Sequence, residues 1–133
     1  MSQENVEIVR ELTKRFEGGD RESWRQVVAK DAIWDTSATT IPQAGVYEGH
    51  VGIERFFTDW LGTWENPEVE TQDLIDAGDS VIQVFRWKVR GKASGVETEA
   101  TMFGVYDVRE GWVVRFRQYE SREQAIEAAG LSE

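Results

Sequence analysis

Four polar side chains stand alone among aromatic and aliphatic neighbours in the last third of this chain, and they are its first candidates for chemistry. Glu120, Gln118, Gln83 and Tyr106 fall, by the two-residue alternation of a β-strand, on the same side as Phe85, Trp87, Met102, Val114 and Phe116. A carboxylate on such a face is partly desolvated, which raises its pKa toward the range of a general base. Amides and a phenol can orient a carbonyl or hydroxyl on a ligand. Glu120 is therefore the candidate base, with Gln118 and Tyr106 as orienting groups and Gln83 beside them. Each has a plainer alternative. Glu120 can sit at the solvent rim where its strand ends, the amides can bond each other or a buried water, and Tyr106 can be core with its hydroxyl at the edge.

Asp35, directly after Trp34, is the fallback acid at the lip of the same hollow; its alternative is an outward place on an edge strand. Tyr47 is a second possible donor to an oxyanion. His50 follows Gly49 at a helix start, where capping is a better role for it than catalysis. Trp34, Phe56, Trp60, Phe85, Trp87, Met102 and Phe116 supply walls and no chemistry of their own. Together these residues describe a hollow for a small hydrophobic molecule. The competing picture is a solid core, with the third helix lying flat on the sheet.

The composition removes other classes. A chain of 133 residues suits one domain spanning 1–133. A net charge of −10 disfavours a nucleic-acid partner. The absence of cysteine removes thiolate catalysis and Cys-based metal sites and fits a cytoplasmic location. A single histidine excludes a His-rich metal centre, so neither metal nor cofactor is expected. The N-terminus lacks the apolar core of a signal peptide, and no apolar run reaches membrane-spanning length.

The elements that must position these residues follow from periodicity. Val6, Ile8, Val9, Leu12 and Phe16 recur at helical spacing and predict a helix over residues 4–17. Gly18-Gly19-Asp20 stops it, and Asp20 is the N-cap of a short second helix carrying Trp24, Val27 and Val28. A strand over 32–36, a loop over 37–45 and a third helix from Gly49 follow; the helix bears Ile53, Phe56, Phe57, Trp60, Leu61 and Trp64. Asn66-Pro67 breaks it. Strands are predicted over 68–76, 80–91, 96–108 and 112–121, and a terminal helix over 122–130. Helices first and mostly antiparallel strands after them give an α+β domain.

Charge fixes the first hairpin. With Ala93-Ser94 at the tip, Arg90 faces Glu97, Lys88 faces Glu99 and Arg86 faces Thr101, while Trp87 faces Ala100, Phe85 faces Met102 and Gln83 faces Gly104. A turn at Arg109-Glu110-Gly111 then sets Tyr106 against Val114, Gly104 against Phe116, Met102 against Gln118 and Ala100 against Glu120. Ala100 and Gly104 keep the floor of the hollow small.

The segments MSQENVEIVRELTKRFEGGD, DAIWD, YEGHVGIERFF, DAGDSV, GWVVR and YESREQAIEAAGL resemble the SnoaL-like group of the nuclear transport factor 2-like superfamily. Ketosteroid isomerase, limonene-epoxide hydrolase and polyketide cyclases share that superfamily. The resemblance implies a cone-shaped α+β barrel, a curved sheet whose helices close a hydrophobic pocket, often as a homodimer through the outer sheet face. The ketosteroid isomerase pattern of an aspartate base with tyrosine and aspartic-acid donors falls on Thr36, Leu12 and Gly104, so that chemistry is absent. The Asp-Arg-Asp relay of limonene-epoxide hydrolase finds only Arg86, which points outward. Two readings remain. One is metal-free acid–base chemistry of the SnoaL-like type, an isomerase, cyclase or hydrolase acting on an apolar carbonyl or polyketide-like compound; the other is a binding protein without chemistry. Val84, Phe103, Val105 and Tyr119 on the outer face suggest a self-complementary dimer patch.

Overall fold

The computed structural model describes residues 2–18 and 22–131. Helix α1 (Ser2–Glu17) buries Val6, Val9 and Leu12, the stripe that its periodicity marks. The stop at Gly19 and the cap at Asp20 lie outside the described residues. The expected second helix is a single 3-10 turn, Ser23–Gln26, with only Trp24 buried. Val28, assigned by sequence to that helix, instead opens strand β1 (Val28–Asp35), which starts earlier than the pattern predicts. Strand β2 (Val46–Glu48) leads into helix α2 (Gly49–Thr63), whose Ile53, Phe56 and Trp60 are buried.

Strand β3 (Trp64–Ala77) runs through Asn66-Pro67, where the sequence reads as a break. The pairing with the next strand shifts between Glu65 and Glu68, and Asn66 has a φ of 47°. A bulge on an edge strand tolerates proline, because no ladder hydrogen bond is asked of its nitrogen. Strands β4 (Ser80–Gly91), β5 (Glu97–Arg109) and β6 (Trp112–Tyr119) form the meander, and helix α3 (Arg122–Ala128) follows. The sheet order is β2-β1-β6-β5-β4-β3, with β1 and β6 parallel and the other neighbours antiparallel. β2 and β3 are its two edges, so the cup is an open, bulged sheet and not a closed barrel.

The first hairpin has the register that charge and aromatic parity predict: Arg90 faces Glu97, Lys88 faces Glu99 and Phe85 faces Met102. The second hairpin differs by two residues. Glu110 (φ 50°) and Gly111 (φ 84°) make a two-residue turn, and a bulge at Asp107/Val108 adds another step. Tyr106 therefore faces Phe116, and Gly104 faces Gln118. A shift of two keeps Tyr106, Phe116 and Gln118 on the inner face, since strand parity is unchanged. The bulge does exchange Val114 for Val113, which is fully buried opposite Val108.

The outer face corrects the expected dimer patch. Val84, Phe103 and Val105 are buried with Ile82 and Ala125 of α3, and Tyr119 packs against them. Helix α3 thus lies on the apolar patch of its own chain. Ser121 caps that helix by accepting from the Gln124 amide at 3.2 Å. Arg117 ties it down, donating to the Ala128 carbonyl at 3.2 Å and to Asp107 at 2.9 Å, while Ser80 also donates to Asp107 at 2.6 Å. Arg117→Met removes the guanidinium from a largely buried carboxylate. It is expected to cost about 1–3 kcal/mol, read as a lower urea midpoint, and to speed amide exchange in α3 before the rest of the sheet. Unchanged α3 protection would contradict this account. Among the described residues no helix is long and apolar enough to cross a membrane.

Candidate functional site

Helices α1 and α2 cross the concave face of the sheet without filling it. Between them and strands β1, β3, β4, β5 and β6 lies a cavity of about 1110 Å³. Its volume is at or above the upper end of the usual range for ligand pockets. Two aromatic groups build the wall. On one side Trp34 stacks on Phe116 at 4.3 Å and meets Phe16, Phe57 and Tyr106 edge-on at 5.7–6.1 Å. On the other, Trp60 lies nearly parallel to Trp87, with centroids 5.3 Å apart. Trp87 Nε1 is buried there without an acceptor. Among the described residues no three His, Cys, Asp or Glu side chains converge as a metal site requires.

Polar order inside the cavity comes from one chain of hydrogen bonds. Tyr106 Oη donates to Gln83 Oε1 at 3.0 Å, Gln83 Nε2 donates to Thr71 Oγ1 at 2.9 Å, and Thr71 Oγ1 donates to Glu17 at 2.6 Å. The Thr71 amide also donates to the same Glu17 oxygen at 3.2 Å. An ionised carboxylate can only accept, so Glu17 sets the direction of every bond in the chain. The Tyr106 proton is committed to Gln83, and its remaining lone pair is an acceptor. Burial, and secondarily the Glu17 charge, push the Tyr106 pKa well above the usual phenol range, so it stays protonated. Gln118 is only 5% exposed and lines the cavity, and its amide makes no hydrogen bond among the described residues.

Of the residues singled out by sequence, Tyr106, Gln118, Gln83, Trp34, Phe56 and Trp60 line this cavity, as do Phe85, Trp87 and Phe116. Four do not. Glu120 is exposed beyond the end of β6, accepting from the Thr40 amide at 3.0 Å and its hydroxyl at 2.8 Å. The two-residue register shift carries it past Ala100 and off the strand. Asp35 pairs with Arg117 in the β1–β6 register, on the outer face, and accepts from the Ser37 amide at 2.9 Å. Tyr47 donates to the Gln43 carbonyl at 2.6 Å and leans on Phe56, which turns its hydroxyl away. Met102 is buried in the same core cluster as the wall residues but is not part of the cavity lining. His50 anchors α2 to β1 through a 2.8 Å contact of Nε2 with the Val28 carbonyl.

Sequence reasoning missed Glu17, Phe16, Trp24 and Phe57 as lining residues. Phe16 and Trp24 read as ordinary core positions. Glu17 carries no signal at all, since a glutamate ending a helix looks like solvent-facing charge. The positions that ketosteroid isomerase chemistry would use are spent on structure. Leu12 is core, Thr36 is fully buried and bonded to the Gly45 carbonyl at 3.2 Å, and Gly104 lies under Phe116.

Residues 9–116 match the family described as the SnoaL-like domain. The chain belongs to the SnoaL-like family. No curated protein matches its sequence. Among solved structures, Bal32a from a soil-derived mobile gene cassette is similar at a TM-score of 0.81 and 20% identity, over 96% of each chain. TerC, co-crystallised with polyporic acid, is similar at 0.76 and 18% identity, over 96% of this chain and 98% of that one. A Catenulispora acidiphila protein with a ketosteroid isomerase-like fold, solved with trimethylamine, is similar at 0.73 and 18% identity, over 95% and 94%. At such identities the likeness to these structures is one of fold. What distinguishes this SnoaL-like chain must come from its own side chains: the Glu17–Thr71–Gln83–Tyr106 chain and the unpartnered Gln118.

Proposed function

We propose that this SnoaL-like protein binds a small, largely apolar molecule in the cavity beneath α1 and α2. The observation that carries the reading is Trp87 Nε1, an indole donor buried on the cavity wall and left without an acceptor, since a buried donor is normally satisfied. A bound molecule offering one polar group would satisfy it while the tryptophan and phenylalanine rings cover the rest. Two relatives of the same fold were solved with small molecules, polyporic acid and trimethylamine, which supports use of this hollow. They are an acid and an amine, so the fold leaves the charge of the ligand open.

Native mass spectrometry of protein purified from its own host tests the proposal. A small organic mass retained by the folded chain and lost on denaturation is expected. Trp24, Trp34, Trp60 and Trp87 line the cavity, so quenching or enhancement of intrinsic fluorescence reports binding directly. A bare chain whose fluorescence ignores a panel of apolar aromatic compounds would overturn the reading.

A second reading, metal-free acid–base turnover of an apolar carbonyl or polyketide-like compound, keeps one observation in its favour. Glu17 places a carboxylate on the cavity lining, the place sequence assigned to Glu120 and Asp35. Recovery of the co-purified molecule chemically altered after incubation would support turnover, and its return unchanged would leave binding alone.

A further inference from the structure

Two polar points stand on the cavity wall, and they differ in kind. The first belongs to a row across β4, β5 and β6, in which Gln83 faces Gly104 and Gly104 faces Gln118. Gln83 is engaged at both ends of its amide, accepting from Tyr106 at 3.0 Å and donating to Thr71 at 2.9 Å. Gly104 brings no side chain, so the row itself supplies Gln118 with no partner. The Gln118 amide, which can both donate and accept, lines the cavity and makes no hydrogen bond among the described residues. Beside this row Tyr106 has committed its proton to Gln83 and keeps a lone pair. A hydroxyl suits this place, because it can accept from the Gln118 nitrogen while donating to the Tyr106 oxygen.

The second point is a donor alone. Trp87 Nε1 is buried on the cavity wall without an acceptor. Its ring neighbours cannot supply one. Trp60, stacked on it at 5.3 Å, and Trp64, edge-on at 6.5 Å, are indoles, which only donate. Trp64 Nε1 also lacks an acceptor, but Trp64 is not part of the cavity lining. An N–H sealed in an apolar wall costs free energy until an oxygen reaches it. Trp87 lies four residues beyond Gln83 on β4, roughly 13 Å of extended strand, with Phe85 between them on the same face. The donor and the amide row therefore mark opposite ends of the hollow.

The geometry points to Trp87 and Gln118 as the specificity-determining residues of the cavity, selecting a flat aromatic molecule with a carbonyl oxygen at one end and a hydroxyl at the other. The inference rests on the binding reading above and adds to it the ligand's chemical class and its orientation. Trp87 Nε1 donates to the carbonyl, the rings of Trp60, Phe85 and Phe116 hold the body, and the hydroxyl meets Gln118 and Tyr106.

Calorimetric titration of the whole chain with 4-acetyl-4′-hydroxybiphenyl and two relatives tests this. 4-Ethyl-4′-hydroxybiphenyl replaces the carbonyl with a methylene, and 4-acetylbiphenyl lacks the hydroxyl. Each loss is expected to weaken binding by about fivefold or more. Trp87→Phe keeps a ring against Trp60 without the N–H, so it should bring the acetyl and ethyl compounds to within about twofold of each other and spare the hydroxyl preference. Gln118→Met keeps the side-chain length without the amide. It should cut the hydroxyl preference to below about threefold and spare the acetyl preference. Each variant is read as a ratio between paired compounds, so a loosened fold lowers both members alike. An ethyl compound bound as tightly as the acetyl one, or an acetyl preference that survives Trp87→Phe, overturns the role of Trp87. A hydroxyl preference that is missing from the native chain, or intact in Gln118→Met, overturns that of Gln118. Either result leaves the binding reading standing. If none of the three compounds binds, this inference falls, and the binding reading falls with it only where protein from its own host is also bare.

Discussion

Trp34→Ala is expected to cost about 3–5 kcal/mol of folding stability, the usual range for removing a large buried aromatic side chain. Trp34 is 2% exposed, and its indole is the common neighbour of Phe16 in α1, Phe57 in α2, Tyr106 in β5 and Phe116 in β6. Both helices therefore meet the sheet through one ring. Its loss leaves a void continuous with the cavity, which the partners can close only by moving inward. Urea denaturation should show the drop as a lower midpoint with little change in slope. Near-UV circular dichroism should lose the signal of the Trp34–Phe116 stack. A loss below about 1 kcal/mol would mean that the helices are held chiefly by other contacts. In that case the wall would not be the keystone that its ring geometry makes it.

Gly104→Ala acts in the opposite sense, by excess rather than by void. A Cβ built at Gly104 would lie 2.5 Å from Phe116 Cε1 and 3.2 Å from its Cζ, with Gln83 Oε1 at 3.4 Å. The Phe116 ring cannot simply retreat, since it is stacked on Trp34 at 4.3 Å and tilted against Tyr106 at 4.8 Å. Overpacking of this kind typically costs about 1–3 kcal/mol. Because the displaced ring is cavity wall, ligand affinity should fall with stability. Gly62→Ala is the matching control. Gly62 sits in α2 with nothing within 4 Å of its added Cβ, so helix propensity alone predicts a gain of up to about 1 kcal/mol. Equal effects at the two glycines, in a side-by-side denaturation series, would refute the packing argument at Gly104.

The glycine was legible in the sequence for a physical reason. It occurs mid-strand opposite large residues, where a side chain would obstruct the inner face. The first hairpin was legible for a related reason. Its two faces carry independent information, charge pairs outside and aromatic residues inside, and only one register satisfies both. The second hairpin carried a weaker signal. Glu110 takes a φ of 50°, a conformation that its residue type does not announce, and the bulge at Asp107/Val108 leaves no mark in the alternation. These two steps moved Glu120 from the expected pocket to a contact with Thr40.

From sequence alone came the α+β class, the aromatic character of the inner face, the family resemblance and the inward placement of Tyr106, Gln83 and Gln118. These depend on periodicity and on parity, which a shift of two residues cannot alter. Which carboxylate stands at the cavity, and which apolar face stays covered, were decided by tertiary structure. Glu17 and Thr71 meet across 54 residues of chain, one at a helix end and the other on an edge strand, and α3 folds back over the outer sheet. No local pattern encodes such meetings, because they depend on where whole elements come to rest against one another.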